Sequence, residues 1–385
     1  MEANQFLSVP EIFYGEGALG ESQDKLGEMG EKALIVTDHV MEEQGYLEKT
    51  EKALEESGVD YAVYKDINTE PKDIHVENGA EIYQDKDCDF LLALGGGSPI
   101  DTMKAIGAVL SNPGHIRDYE GLGVIDNDTP PLVAIPTTAG TGSEVTQFTI
   151  IHDTRDDVKM LIGDAKLMPD AAVVDPTFTL TVPEEITAAT GIDALTHAVE
   201  AYTSKNHQPL ADNFALSSIE RIADNLRKAC EDGDDMEARS EMMLGAMEAG
   251  MAFNNSSVTI VHGMSRPIGA CFHIPHGLSN AVLLEECMKF AVDGAPERFA
   301  DVAEAMGVNT DDLSVEEAAE KGVEAIGDLC DDIGIPCLCE QGVCEEDFQE
   351  KKDKMAKDAL DSGSPDNTMK VPDKEDLKEI YDRII

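Results

Sequence analysis

Residues Phe90 to Leu94 form an unbroken apolar run that leads straight into Gly95, Gly96 and Gly97, and a helical pattern follows from Ser98 to about Leu110. This junction constrains the fold more than any other stretch. A strand without polar alternation is buried on both faces, as in a parallel sheet covered by helices. Glycines let the backbone approach a ligand closely, and a helix beginning there adds free N–H groups and a positive dipole end. Gly95 to Ser98 is therefore a candidate diphosphate cradle. It is not the G-x-G-x-x-G fingerprint, and a plain strand-to-helix turn has the same composition.

The same alternation runs through the first 180 residues. Strand signals fall at Ala33–Asp38, Val59–Tyr64, Asp89–Leu94, Leu132–Ile135 and Ala171–Val174, and helical ones at Tyr46–Ser57 and Asp73–Asp85. Phe148–His152 and Val158–Ile162 flank a polar turn and predict a hairpin. Beyond Thr181-Val182-Pro183, apolar residues recur at three- and four-residue spacings over Glu184–Ser204, Pro209–Asp232, Glu237–Phe253 and Ser314–Ile333. The expected organisation is an α/β domain over residues 1–180 and an all-helical domain over 181–385. A chain of 385 residues suits two such cores.

Ligands of open α/β sheets bind at the carboxyl ends of strands. A second loop, Thr137 to Glu144, leaves such an end and offers hydroxyls and flexible backbone. Asp38 ends another strand. A carboxylate there can bind ribose hydroxyls and repel a 2′-phosphate, which favours NAD over NADP; the alternative is that Asp38 caps the following helix.

The balance of 78 acidic against 29 basic residues gives a net charge of −49. Such a surface repels nucleic acid and anionic lipid. The acids are spread along the chain, which points to a halophilic cytoplasm rather than an acidic binding tail. No apolar run is long enough to span a bilayer, and the first ten residues lack the pattern of a secretory signal. The run Cys337, Cys339, Cys344 lacks paired metal-site spacing and reads as reduced cytosolic thiols.

In the second half, Asp193 and His197 stand four residues apart in a strong helical pattern and share one face. Alone, that pair is equally an ordinary polar helix face. His262 and His276 are each followed by glycine, which suits side chains presented close to another backbone. Their segment holds three of the nine histidines, with His273 as a further candidate for proton transfer or a solvent-exposed residue. Three imidazoles and a carboxylate, with one position open, suit catalytic Fe(II) or Zn(II).

Taken together, Phe13–Ala18, Gly95–Asp101, Pro136–Glu144, Met168–Asp170, Asp175-Pro176, Gly191–Tyr202 and the His262/His276 segment resemble the iron-containing (group III) alcohol dehydrogenases. The resemblance implies a Rossmann-like NAD(P)-binding domain with a parallel sheet, an all-α metal-binding domain in a dehydroquinate synthase-like architecture, and an active site in the cleft between them. It implies the ligands Asp193, His197, His262 and His276, with His262 and His276 at the catalytic centre. Cofactor contacts carry over to Asp38, Gly96, Gly97, Ser98, Asp101, Thr137, Thr138, Thr141, Ser143, Lys159 and Leu180, and a substrate-pocket position to Phe253. It also implies at least a dimer, paired near Phe6–Phe13, and a small alcohol or carbonyl substrate. Glycerol dehydrogenase-like, maleylacetate reductase-like and dehydroquinate synthase-like proteins share the scaffold, but the full Asp193/His197 motif argues against them. A non-catalytic nucleotide-binding protein is the remaining alternative. One position departs from the family: Arg266 stands where many members carry a second histidine. It cannot act as a general base; it can bind a substrate oxyanion or pair with a nearby acid.

Overall fold

The computed structural model describes residues 3–385 and divides into two compact units. One runs from Leu7 to Thr181; the other runs from Val182 to Ile385 and includes the N-terminal residues up to Phe6.

The first unit contains the strands β1 (Glu11–Tyr14), β2 (Lys32–Val36), β3 (Asp60–Tyr64), β4 (Phe90–Gly95), β5 (Gly121–Leu122), β6 (Leu132–Pro136), β7 (Phe148–Asp153), β8 (Val158–Gly163) and β9 (Ala171–Val174). Six of them form a parallel sheet in the order β1-β9-β6-β4-β2-β3. Strands β4, β6 and β9 are buried at every residue, as the apolar runs predict. Alternate residues feed two separate cores. Leu91 and Ala93 join Leu34, Val36 and Ile106 on one face, while Phe90, Leu92 and Leu94 join Ala33, Ile35 and Phe178 on the other. Each buried side chain of this size stabilises by about 1.5–3 kcal/mol, so both faces need helical cover. Strands β7 and β8 form the antiparallel hairpin, and β5 pairs alongside β8.

The second unit is helical: Glu184–Thr203, Pro209–Glu231, Met236–Ser256, Ile260–Phe272, His276–Ala291, Pro296–Ala305, Val315–Asp332, Glu345–Asp361 and Lys374–Arg383. Helix Glu184–Thr203 is buried nearly all round, so it is a core helix rather than an amphipathic surface one. Gly191 permits that position, since a Cβ there would lie 2.4 Å from Leu226 Cδ1. The helix Val315–Asp332 opens on a capping box in which Ser314 and Glu317 bond each other's backbone N–H. At the N-terminus Phe6 stacks on Phe214 with centroids 5.8 Å apart, and Gln208 Nε2 donates to the Gln5 carbonyl at 3.2 Å. No helix among the described residues is long and apolar enough to cross a membrane.

Candidate metal centre and cofactor site

Asp193 and His197 lie on helix Glu184–Thr203, His262 on Ile260–Phe272, and His276 opens His276–Ala291. The glycines after the two later histidines allow close approach. A Cβ on Gly277 would lie 2.5 Å from the Ala189 carbonyl oxygen, and one on Gly263 would lie 2.7 Å from Pro365 Cδ. Asp193 Oδ1 is 3.7 Å from His262 Nε2 and 3.7 Å from His276 Nε2. The three ligand atoms lie within 4.8 Å of one another. His197 stands beside this group: its ring stacks on His262, with centroids 4.4 Å apart, and on Phe253 at 4.3 Å.

Burial pushes the Asp193 carboxyl up, but His197, His276, His262 and the Asn280 amide outweigh it and hold it below the usual carboxylate value. Burial lowers His197 to about 3 against the opposing pull of Asp193, so its ring is neutral at pH 7 and keeps a lone pair. Its Nδ1 is buried without a hydrogen-bond partner.

Two residues that the sequence reading did not select hold this group in place. Glu200, fully buried, accepts from Thr259 Oγ1 at 2.7 Å and Val261 N at 2.6 Å through Oε1, and from His262 Nδ1 at 2.5 Å through Oε2. Burial raises its pKa, but attraction to His262 and these bonds bring it below the ordinary value, so it is a carboxylate that can only accept. Glu200 therefore holds a proton on His262 Nδ1, which makes Nε2, facing Asp193 and His276, the ring atom available to a cation. Asn280 Nδ2 lies 2.6 Å from Asp193 Oδ1, 3.2 Å from His262 Nε2 and 3.3 Å from His276 Nε2, while its Oδ1 is buried without a partner. The amide nitrogen thus faces one carboxylate oxygen and two ring nitrogens at once. One carboxylate oxygen and imidazole nitrogens so grouped could hold a cation, and they match the donor set of Fe(II) or Zn(II).

His273 is exposed and takes a left-handed conformation at a helix end, in line with the solvent-exposed alternative. Arg266 forms no ion pair among the described residues; its one hydrogen bond is to Ser364 Oγ at 3.3 Å. All eight cysteines are free, and the Cys337, Cys339 and Cys344 run is exposed.

In the α/β unit, parallel pairing brings the segments carrying Asp38, Gly96 to Ser98, Thr137 to Ser143 and Leu180 out of the same edge of the sheet. Gly96 and Gly97 start the helix Gly97–Ser111 directly after β4. A Cβ on Gly96 would be 3.2 Å from Thr138 Oγ1, and one on Gly97 would be 2.9 Å from Thr141 Cγ2, so the two loops touch where only glycine fits easily. Behind them Asp101 accepts from Ser143 Oγ at 2.7 Å and from Ile150 N at 2.9 Å. Lys104, fully buried and missed from sequence, places Nζ among Ser143 O (2.6 Å), Thr146 O (2.8 Å) and Phe148 O (2.9 Å) and the hydroxyls of Ser143 and Thr146 (3.1 Å each). Asp101 and Ser143 thus brace the loop. Asp38 Oδ1 caps the helix His39–Glu43 through Met41 N at 3.0 Å, the alternative left open above. Lys159 lies on the hairpin, ion-paired to Glu70 at 2.5 Å, away from the parallel sheet.

Residues 10–176 match the family described as iron-containing alcohol dehydrogenase, and residues 187–385 match the Fe-containing alcohol dehydrogenase family, C-terminal. The chain belongs to the iron-containing alcohol dehydrogenase family, and the parallel-sheet and helical units are the family's architecture. Among its relatives, the 1,3-propanediol dehydrogenase of Citrobacter freundii is 41% identical over 380 residues, covering 97% of each chain. The NAD-dependent methanol dehydrogenase of Bacillus methanolicus is 38% identical over 97% of this chain and 98% of its own. A crystal structure of 1,3-propanediol oxidoreductase superposes with a TM-score of 0.96 at 38% identity, covering 100% of both chains.

Proposed function

We propose that this chain is an NAD-linked, metal-dependent dehydrogenase that interconverts small alcohols with their aldehydes or ketones. The observation that carries the reading is the convergence of Asp193 Oδ1, His262 Nε2 and His276 Nε2 within 4.8 Å, with neutral His197 stacked alongside. Asp193, His197, His262 and His276 would hold the cation, with Fe(II) favoured by the family and Zn(II) equally compatible with the donor set. When bound, the cation supplies Lewis acidity at the substrate oxygen and NAD accepts the hydride.

The chain's own residues do the rest. Glu200 fixes the His262 tautomer that leaves Nε2 free. Asp193 contributes the negative charge that makes a divalent ion affordable in a buried site. Phe253, stacked on His197, gives the pocket an apolar wall. In the other unit, Gly96, Gly97 and the helix start cradle the diphosphate, braced by Asp101 and Ser143. Thr137, Thr138 and Thr141 add hydroxyls, Leu180 an apolar contact, and Ser98 a donor at the first helical turn. Asp38 keeps its expected ribose contact, and with it the preference for NAD over NADP, while capping its helix; Lys159 would have to leave Glu70 to reach a cofactor. An intracellular setting agrees with eight free cysteines. Assembly at least to a dimer is part of the same proposal, and β1 lies at an edge of the sheet where a second copy can pair.

The test is NAD reduction with a panel of alcohols in high salt, using stripped protein with Fe(II), Zn(II) or Mn(II) restored. Turnover recovered by one metal is expected. A folded, NAD-binding protein that is inert with every metal would point to a non-redox reaction on this scaffold.

A further inference from the structure

The chemistry just described makes no use of the charge on Arg266, which stands one helical turn beyond His262 on the same face of Ile260–Phe272. Two other arginines display what a structural guanidinium acquires here. Arg117 reaches Asp73 Oδ2 at 2.9 Å and Asp153 Oδ2 at 3.2 Å. Arg239, buried, divides its donors among Gly233 O (2.9 Å), Thr187 Oγ1 (2.7 Å) and Val182 O (3.1 Å). Arg266 has Ser364 Oγ at 3.3 Å and no other hydrogen bond or ion pair among the described residues. One long bond to a neutral hydroxyl leaves most of a five-donor fork unused.

This happens in a chain with 78 acidic residues, where a counter-charge is easy to supply. Burial disfavours the guanidinium's charge, and the one opposing influence is Glu200. The two oxygens of Glu200 are already taken by Thr259, Val261 and His262. A partly desolvated cation without a partner is costly, so its retention beside the metal ligands calls for an anion supplied from outside the chain. The planar fork matches a carboxylate or a similar oxyanion bidentately.

We infer that Arg266 binds a terminal oxyanion on the substrate, so that the preferred substrates are short hydroxy acids and their aldehyde acids. The inference rests on the proposed dehydrogenase site at His262. The reaction balances as HO–CH2–R–COO⁻ + NAD⁺ giving O=CH–R–COO⁻ + NADH + H⁺. The carbinol C–H bond breaks and leaves with its electron pair as hydride on NAD⁺, the hydroxyl proton goes to solvent, and the carboxylate is unchanged. Arg266 is then a specificity-determining residue: it touches the end of the substrate remote from the reacting carbon.

The experiment compares matched pairs in metal-loaded protein with NAD: 3-hydroxypropanoate against 1,3-propanediol, and 4-hydroxybutanoate against 1,4-butanediol. Each pair differs only in one terminal group. The variants are Arg266→Gln, Arg266→His and Arg266→Lys, with thermal melts to establish folding. In the parent protein, kcat/KM favours the hydroxy acid in at least one pair. In Arg266→Gln that preference falls on the order of 10²-fold, mostly through KM, and Arg266→Lys recovers part of it as a point charge without the fork. Calorimetric titration with succinate, which cannot react, should show at least about tenfold weaker binding to Arg266→Gln than to the parent. A parent enzyme that prefers the diols, with a ratio unmoved by Arg266→Gln, overturns the inference and leaves the proposed function standing. A variant that raises KM for NAD equally with both substrates assigns Arg266 to the cofactor and also overturns it. Metal-loaded, folded protein that turns over neither class defeats the dehydrogenase reading and this inference together.

Discussion

The two units each bury a dense polar network, and the networks differ in what completes them. Around Lys104 and Asp101 the polar partners come from within the chain: five oxygens surround Nζ, and Asp101 accepts from Ser143 and Ile150. Around Asp193 the polar atoms are not all answered. Asn280 Nδ2 is shared among Asp193, His262 and His276, and both His197 Nδ1 and Asn280 Oδ1 are buried without partners. The glycine-loop network is therefore organised before any ligand arrives, whereas in the reading proposed above the histidine site would be completed by a cation. A self-satisfied network adds rigidity; an incomplete one leaves stabilisation to be gained on binding.

The sharpest way to break this contrast is His262→Ala. It should abolish metal retention and lower turnover by about 10³-fold or more, while calorimetric NAD affinity stays within a factor of about two. Loss of both together would mean that the networks are not separable. Next in size is Glu200→Gln. Gln cannot accept from Thr259, Val261 and His262 at once, and an amide N–H facing His262 Nδ1 drives the ring proton onto Nε2, the ligand atom. Metal affinity should fall about 10–100-fold, read by competition with a chelator. Unchanged affinity would remove Glu200 from the positioning role.

The loop network can be tested by pH. Burial raises Glu144 to about 7, against smaller lowering by its own backbone and Lys104. Its folded value exceeds its unfolded one near 4.5, so the folded state holds an extra proton between them. Stability from this group is complete below pH 4.5 and lost as pH rises to about 7. Relative to Glu144→Gln, unfolding free energy of the parent should decline by about 3 kcal/mol over that window. Parallel curves would refute the assignment. The smallest expected effect is Gly97→Ala. Its φ is ordinary, but the new Cβ would press on Thr141 Cγ2 at 2.9 Å. NAD affinity should weaken about tenfold, while metal content, measured on the same sample, does not change.

Much of the architecture was legible because its signals are local. The run Phe90–Leu94, the hairpin, and the switch to three- and four-residue spacing after Thr181 follow from periodicity alone. The helix Ile260–Phe272 was not: Pro267 inside it and glycines at 263 and 269 read as breakers, and only burial against the bundle overrides them. Asp193, His197, His262 and His276 stood out as a set through resemblance to the family's motifs, since the spacing of Asp193 and His197 alone reads equally as a polar helix face. Their supports did not. Glu200 reads as one more acid among 78, and Asn280 as a polar turn of a helix, because their roles depend on contacts 62 and 87 residues away. Lys104 gave no signal either, since a lysine in a helix is ordinarily in water and this one is fully buried.

The packing of Phe6 on Phe214 sets an order on biosynthesis. The chain's first described residues belong to the helical unit, yet the whole sheet unit lies between them and their partner. At about 5–20 residues per second, Phe6 leaves the ribosome roughly 10–40 s before Phe214 exists. The sheet unit, with its short-range β-α connections, can fold in that interval while the leading segment waits unplaced. The helical unit is closed last, by a segment made well before its partner.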